Sequence, residues 1–429
     1  MDNPPGGLWR KGLSAKLNTD QMLLIAAAFF QHMRKSNHLS PALRFVPSEG
    51  RPLQERMETM KKTIVLILTL VLAFSLFSLC ASAEGTDTIE VTDLKGRTVA
   101  LPAEVRRVVV TFNMEEYFAV AGDTGIDKLV GWSHKYWEGR RQDAYDAFTA
   151  VYPQLADIPD VGYNGDISIE AIISLQPDVV LASSTGANYN ALEPAFDNLR
   201  AAGIACVFFD FHAQTLEKHS ESVKLLGKIL GQEERAAEIA DFYAEQMAVV
   251  AERLTDLKDE DRPRVYMEFS MGPDQYGGTW SEQMWGALIR QCGGENIAAG
   301  MEGASVDIAP EQVIAANPEV IIFTCSPRDD VNDNIVLGYG ADEALAREHL
   351  AAYANREGWA ELDAVKNENM GALYHDLSRH IFDFAGAQFL AKMIQPEIFA
   401  DLDPEANLAE FFQRFMPVEM DGVWTLRLA

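Results

Sequence analysis

The chain is 429 residues long, carries a formal net charge of −28, and is 48% hydrophobic and 23% charged. That length and composition allow two or three domains of ordinary size, each with a real core. The acidity excludes a nucleic-acid binder, whose phosphate contacts need a basic face, and fits a protein facing solvent.

Near the N-terminus, Met60-Lys61-Lys62 gives a basic start, Ile64 to Leu79 is apolar apart from Thr69, Ser75 and Ser78, and Ala81-Ser82-Ala83 follows. Basic, apolar, then small-x-small is the order of a secretory signal peptide, here 60–83. The run is short for a membrane span, which needs about 20 residues. Cys80 raises lipid anchoring, but Leu79 stands where such a signal carries a small residue, so secretion without an anchor is the preferred reading. Residues 1–59 read as an upstream extension, disordered or not translated, with the true start at Met60. Cys206, Cys292 and Cys325 lie beyond the signal, and an odd count builds no disulfide framework. Cys206 reads as a small buried hydrophobe; whether Cys292 and Cys325 pair stays open. No local zinc-ligand spacing appears.

Further on, Ile89-Glu90-Val91-Thr92-Asp93 and Gly96-Arg97-Thr98-Val99 alternate around a turn, which predicts a hairpin. Val108-Val109-Val110, Leu129-Val130-Gly131, Val179-Val180-Leu181 and Val207-Phe208-Phe209 are short continuous apolar runs, typical of strands covered on both faces. Helical stretches separate them, including Ala191 to Ala202 stopped by Gly203, so a parallel sheet under helices is expected. From Thr215 to Leu257, Leu225, Leu226, Ile229, Ile239, Phe242, Met247 and Val250 recur at helical spacing, with Gly231 as a break. A second alternating unit starts at Arg264-Val265-Tyr266. It continues with a helix from Ser281 to Gln291, strands Val320 to Thr324 and Ala372 to Tyr374, a helix from Ile381 to Ile394, and a last amphipathic helix from Leu408 to Met416. The expected fold is α/β: two Rossmann-like lobes with parallel-type sheets, 86–212 and 262–429, joined by a long α-helix within 213–258.

One segment is written twice. Asp166-Ile167-Ser168-Ile169-Glu170 leads to Pro177-Asp178-Val179-Val180-Leu181, and Asp307-Ile308-Ala309-Pro310-Glu311 leads to Pro318-Glu319-Val320-Ile321-Ile322. The spacing far exceeds the roughly 20–50 residues of a solenoid repeat. Two lobes built alike account for it, each with one glutamate in the first turn of a short helix. The helix dipole favours a carboxylate there, so either glutamate alone reads as a plain surface residue. The pair, at equivalent places, reads as a matched docking surface.

These features together resemble the extracytoplasmic substrate-binding proteins of ABC importers for iron chelates, haem and cobalamin, over Ile89 to Pro396. The parts that look alike are Val91-Thr92-Asp93 with Gly96-Arg97, Val99 and Leu101-Pro102, then Arg107-Val108-Val109-Val110, and the copies Glu170 to Leu181 and Glu311 to Ile322. The resemblance implies two lobes on a long connecting helix with limited hinge motion. It implies that Glu170 and Glu311 meet arginines of the permease, which works with an ATPase. It also implies a monomeric, non-enzymatic protein with no intrinsic cofactor, whose cargo carries iron or cobalt.

Pockets in such folds form from loops past the strand ends. The segment Trp132-Ser133-His134-Lys135-Tyr136-Trp137-Glu138-Gly139-Arg140-Arg141 follows a strand. Trp132, His134, Tyr136 and Trp137 could stack on a flat macrocycle or catecholate, and Arg140 and Arg141 could meet an anionic chelate. The plainer alternative is a loop that closes over its own core. In the second lobe, Tyr276 and Trp280 flank Gly277-Gly278, where the backbone allows close approach. In Tyr374-His375-Asp376-Leu377-Ser378-Arg379-His380, the side chains of Tyr374, His375 or His380 could fill a metal's open position, and Arg379 could pair a carboxylate. Caps and salt bridges around Asp376 and Asp383 are the competing account. Tyr163, Arg328, His212 and Ser183-Ser184 are rim candidates. Two rival functions stand beside the chelate binder. One is a binder of a bare transition metal using His134, His212, His375 and His380. The other is an extracytoplasmic hydrolase, for which no Gly-x-Ser-x-Gly turn, Walker loop or His-Glu-x-x-His helix is present.

Overall fold

The computed structural model describes residues 88–428 except 185, 213–214 and 329–330. The upstream extension and the signal segment, with Cys80, lie outside the described residues.

Thr88–Thr92 (β1) and Thr98–Pro102 (β2) pair antiparallel, with Val91 opposite Val99. Asp93 fixes the turn: its Oδ1 accepts from the backbone N–H of Lys95 and Arg97, both at 3.0 Å, and its Oδ2 meets the Arg97 guanidinium at 2.6 Å.

Val108–Val110 (β3), Leu129–Trp132 (β4), Val179–Ser183 (β5) and Ala205–Phe209 (β6) form one parallel sheet in the order β4-β3-β5-β6. Their unbroken apolar runs follow from cover on both faces. Val108, Val110, Val179 and Leu181 enter one core, while Val109, Val180, Ala182 and Phe208 enter another.

The connector is two helices, Leu216–Leu230 and Glu233–Arg253, rather than one rod. Gly231 takes φ 68° at the end of the first, a left-handed turn that suits glycine. The two helices pack closely at Gly227, where a Cβ would fall 2.3 Å from that of Ala236.

The second main sheet comprises Arg264–Phe269 (β7), Glu295–Asn296 (β9), Val320–Cys325 (β11), Met370–Tyr374 (β12) and Thr425–Arg427 (β13). Its order is β13-β12-β11-β7-β9, parallel except at the β13 edge. Thr279–Trp280 (β8) and Ser305–Val306 (β10) make a separate antiparallel pair. The sequence pattern missed β8, β9, β10 and β13, which are too short to show a period. Two helices start later than their apolar spacing suggests. Met284 at φ 49° holds one off until Trp285–Gln291, and Arg379 at φ 64° precedes the turn that leads into Phe384–Ile394.

The doubled segment is doubled in structure, and further than the sequence showed. Ile169–Leu175 and Pro310–Ala316 are the two helices, ending at left-handed Gln176 (φ 47°) and Asn317 (φ 44°) before a proline. The following strands, β5 and β11, are each flanked by parallel partners. An arginine on the neighbouring strand closes each helix end. Arg107 Nε donates to the Gln176 carbonyl at 3.0 Å, and Arg264 Nε donates to that of Asn317 at 3.1 Å. Asp178 and Glu319 complete the match, accepting from the backbone N–H of Arg107 at 2.8 Å and of Arg264 at 3.0 Å.

Cys206, Cys292 and Cys325 are buried free thiols, so Cys292 and Cys325 do not pair. Cys292 Sγ instead donates to the Ala387 carbonyl at 3.1 Å.

Candidate ligand cleft

β3 ends in Thr111, Phe112 and Asn113, and the last takes φ 60° before the buried helix Met114–Ala121 begins. From the other lobe, the turn after β12 brings Arg379 to face it. Asn113 Nδ2 donates to the Arg379 carbonyl at 3.3 Å, so two left-handed residues meet across the lobes. Asparagine tolerates that conformation better than arginine, and such backbone is typical of functional sites.

Around this meeting point is a recess of about 480 Å³, lined from the first lobe by Phe112, Trp132, Tyr136, Trp137, Arg141 and Tyr163 and from the second by Asp376, Arg379 and His380. It adjoins a wider opening of about 1440 Å³ lined also by Arg140, Phe269, Arg328 and His375. Both lie past the carboxyl ends of the strands, the usual place for a ligand in an α/β sheet.

The residues 132–141 are not a loop beyond Ser133; His134–Arg140 is a helix. Trp132 and Trp137 are packed edge to face at 5.5 Å and buried, and Trp132 Nε1 donates to the Leu155 carbonyl at 3.2 Å. They make a rigid floor. Tyr136 stands over it, stacked on Tyr163 with ring centroids 3.6 Å apart. His134 is taken up elsewhere, packed against both Trp132 and Tyr145 with Nε2 at 3.0 Å from the Tyr145 hydroxyl, and it does not line the cleft.

Arg141 is buried and doubly paired, at 2.5 Å from Glu115 Oε1 and 2.9 Å from Asp376 Oδ2. Burial disfavours its charge, but Asp376 and Glu115 outweigh that and hold the guanidinium firmly protonated. Its charge is therefore engaged by these two carboxylates, and Arg140, Arg328 and Arg379 line the wider opening beside it.

His375 sits among Phe269, Trp280 and Trp285, with Nδ1 3.1 Å from Thr324 Oγ1. Burial, aided by the Arg379 charge, pushes its pKa down to about 3, so the imidazole is neutral at ordinary pH. His380 behaves oppositely. Burial would lower it, but Glu116 with Nδ1 at 2.9 Å, and Glu115 beyond, raise it above its ordinary value. His212, half-buried beside Phe112, is pushed down to about 3 by burial and by Arg379.

Three other sequence candidates stand behind the cleft lining. Trp280 is buried against His375. Tyr276 accepts from Trp359 Nε1 at 2.7 Å and packs on the Arg356 guanidinium. Tyr374 is fully buried against Trp424. Glycine-rich turns and strand ends invite a ligand in sequence, but here they serve the core. Sequence reading also missed Phe112, Asn113, Glu115 and Glu116. Two adjacent glutamates opening a wholly buried helix were the available signal, since buried charge is rare without a partner.

Glu170 and Glu311 are solvent-exposed in the first turns of their helices, away from the recess lining. Among the described residues no helix is long and apolar enough to cross a membrane.

The family model for periplasmic binding proteins matches residues 117–375. The ABC transporter substrate-binding lipoprotein YvrC of Bacillus subtilis is 23% identical over 315 residues, which is 73% of this chain and 87% of that protein. The molybdate-binding protein MolA of Haemophilus influenzae is 22% identical over 368 residues, 81% of this chain and 95% of MolA. The crystal structure of the TroA-like periplasmic binding protein FepB from Veillonella parvula superposes with a TM-score of 0.74 at 34% identity, covering 80% of this chain and all of that one. The chain belongs to the periplasmic binding proteins and is the substrate-binding component of an ABC transporter, not an enzyme.

Proposed function

We propose that the cleft captures an anionic metal chelate, an iron–siderophore complex, haem or a corrinoid, and delivers it to a permease with its ATPase. The carrying observation is the Tyr136–Tyr163 stack beside Arg379, with Arg140 and Arg328 at the wider opening. A π-face next to guanidinium groups suits a flat ligand with carboxylate or catecholate oxygens. In a chain of net charge −28, a cleft mouth carrying three arginines also concentrates an anion locally. His375, neutral and fixed through Nδ1, is the residue best prepared to give Nε2 to a metal's open position. Glu170 and Glu311 dock to permease arginines. Segment 60–83 directs secretion across the cytoplasmic membrane and is then removed, leaving a protein without a lipid anchor at Cys80.

The absorbance spectrum and intact mass of the material that copurifies test this reading. One haem, corrinoid or ferric catecholate per chain, rebinding after it is stripped, is expected. Failure to bind any of these, with tight binding of molybdate, would overturn it. The bare-metal alternative is kept because two glutamates and a histidine meet at the recess.

A further inference from the structure

Glu170 and Glu311 share a duplicated neighbour. Three residues past Glu170 stands Ile173, and three past Glu311 stands Ile314. Residues three apart share a helix face, so each isoleucine lies on the face that carries its glutamate. The residue just before each isoleucine faces inward: Ile172 and Val313 are fully buried and fasten each helix to its lobe. Ile314 is 38% exposed, one of four exposed large apolar side chains among the described residues, and Ile173 is only partly buried.

A single exposed isoleucine needs no explanation. Two at equivalent places do, because the core accounts for the rest of each unit and not for these two side chains. The frame beneath them is stiff. Arg107 and Arg264 close the two helix ends. Under Ile314 the backbone of Gly358 turns at φ 80°, and a Cβ there would come within 2.7 Å of Ile314 Cδ1. The isoleucine thus rests on bare backbone beside the buried Trp359, whose Nε1 donates to the Tyr276 hydroxyl at 2.7 Å. An apolar side chain held out on a rigid support meets a partner without a large ordering cost. The carboxylates alone would hold that partner weakly, since an exposed ion pair contributes little in water and is screened by salt. An apolar contact beside the pair excludes water and strengthens it.

We propose that Ile173 and Ile314 are the apolar anchors of the permease-docking surface, each seating in an apolar socket bordered by the arginine that its glutamate meets. The proposal rests on the docking reading of Glu170 and Glu311 and divides the work between the two residue types. The glutamates steer and orient the encounter, whereas the isoleucines hold the complex once it has formed. The doubling selects the partner. A surface that meets both lobes must offer the same socket twice, which fits the membrane subunits of the ABC transporter that this chain serves. A second copy fits less well, because it would set glutamate against glutamate between chains of net charge −28. An anionic lipid surface would repel both glutamates.

The test is the binding kinetics of the intact protein on the transporter's membrane subunits in lipid nanodiscs, read by biolayer interferometry, with empty nanodiscs as the control. Ile173→Ala with Ile314→Ala should raise the dissociation rate about tenfold or more and leave the association rate within about twofold. Glu170→Gln with Glu311→Gln should instead slow association and remove its salt dependence. Ile173→Leu with Ile314→Leu should keep most of the lifetime, because a socket of this kind selects apolar volume. The unaltered protein gives a readout that holds even if a variant fails to fold: its association should slow with added salt while its dissociation stays nearly constant. Unchanged dissociation in the folded alanine variant, or dissociation of the unaltered protein that quickens steeply with salt, would overturn the anchors and leave the docking glutamates standing. Equal binding to empty nanodiscs, or self-association of the free protein that the alanine variant loses, would overturn them by naming another occupant. If neither the glutamate nor the isoleucine variants alter either rate, the docking reading falls as well.

Discussion

Arg141 Nε of the first lobe lies 2.9 Å from Asp376 Oδ2 of the second, with both side chains largely withdrawn from solvent. The same guanidinium reaches Glu115, so one arginine ties the lobes together beneath the recess. Burial raises the Asp376 carboxyl pKa, but Arg141 and then His375 pull it well below the usual carboxylate range. A pair of this kind costs more to break than it gains by forming, because the surviving charge is stranded. Arg141→Met strands Glu115 and Asp376 at once. A loss of about 3–5 kcal/mol in denaturant melts is expected, with a larger radius of gyration in solution scattering as the lobes part. An unchanged melt would mean that Arg141 holds ligand rather than the fold.

The turn carrying Tyr276 rests on a second buried pair. Arg356 meets Glu268 through two contacts, 2.7 and 3.0 Å, and is enclosed by Tyr276, Tyr353 and Trp359. Glu268 Oε1 also accepts from the Gly277 N–H at 2.9 Å. Arg356→Met is expected to cost about 3–5 kcal/mol, since Glu268 stays buried without its cation. Ligand affinity should change little, because Tyr276 does not line the cleft. A selective loss of affinity at normal stability would return Tyr276 to the binding surface.

These two arginines show what a sequence can and cannot reveal. Alternating apolar runs and helices were enough to give two parallel sheets, because period and length carry that information directly. The duplicated Glu170 and Glu311 helices were legible because their caps, prolines and strands are local. Arg107 and Arg264 were not, although they are part of the same unit, because their partners lie at a helix end and the turn after it, far along the chain. At the cleft, chemistry alone suggested Arg141 and Trp280 as readily as Arg379. Their roles separate only once Glu115 reaches Arg141 and His375 covers Trp280, and those are contacts between distant segments.

Stability should fall with rising pH through Asp383. Burial pushes this carboxyl up to about 8 from an ordinary value of 3.8, although the Tyr243 hydrogen bond and His380 pull the other way. The folded state thus keeps a proton that the unfolded chain releases. Its contribution is complete below about 3.8 and is lost as pH rises through about 8. His380, raised above 6.5 against the effect of burial by Glu116, acts in the same direction. Glu116 acts oppositely: His380 holds it low despite burial, and its contribution is lost as pH falls through its folded value. Asp383→Asn cannot ionise, so it should match the unaltered protein near pH 4 and exceed it by a few kcal/mol near pH 8, to order of magnitude. Parallel melting curves at the two pH values would refute the assignment.

The two exposed glutamates make the last prediction. Glu170 and Glu311 head helices that share an N-terminal turn, a left-handed end and an arginine clamp, so each is held on the same rigid frame in its own lobe. Neither lines the recess. In the proposed docking, exchanging both for lysine removes the two acceptors offered to permease arginines and adds repulsion in their place. Each lysine also opposes the dipole at a helix start, at a cost of about 0.3–1 kcal/mol, too little to unfold either lobe. The double variant Glu170→Lys, Glu311→Lys should therefore bind ligand with unchanged affinity and melt close to the unaltered protein, yet fail to support uptake into cells or to stimulate the transporter's ATPase. Either single exchange should weaken uptake less, because one lobe would still dock. Loss of ligand affinity in step with uptake would place the glutamates in the binding site and remove the docking role.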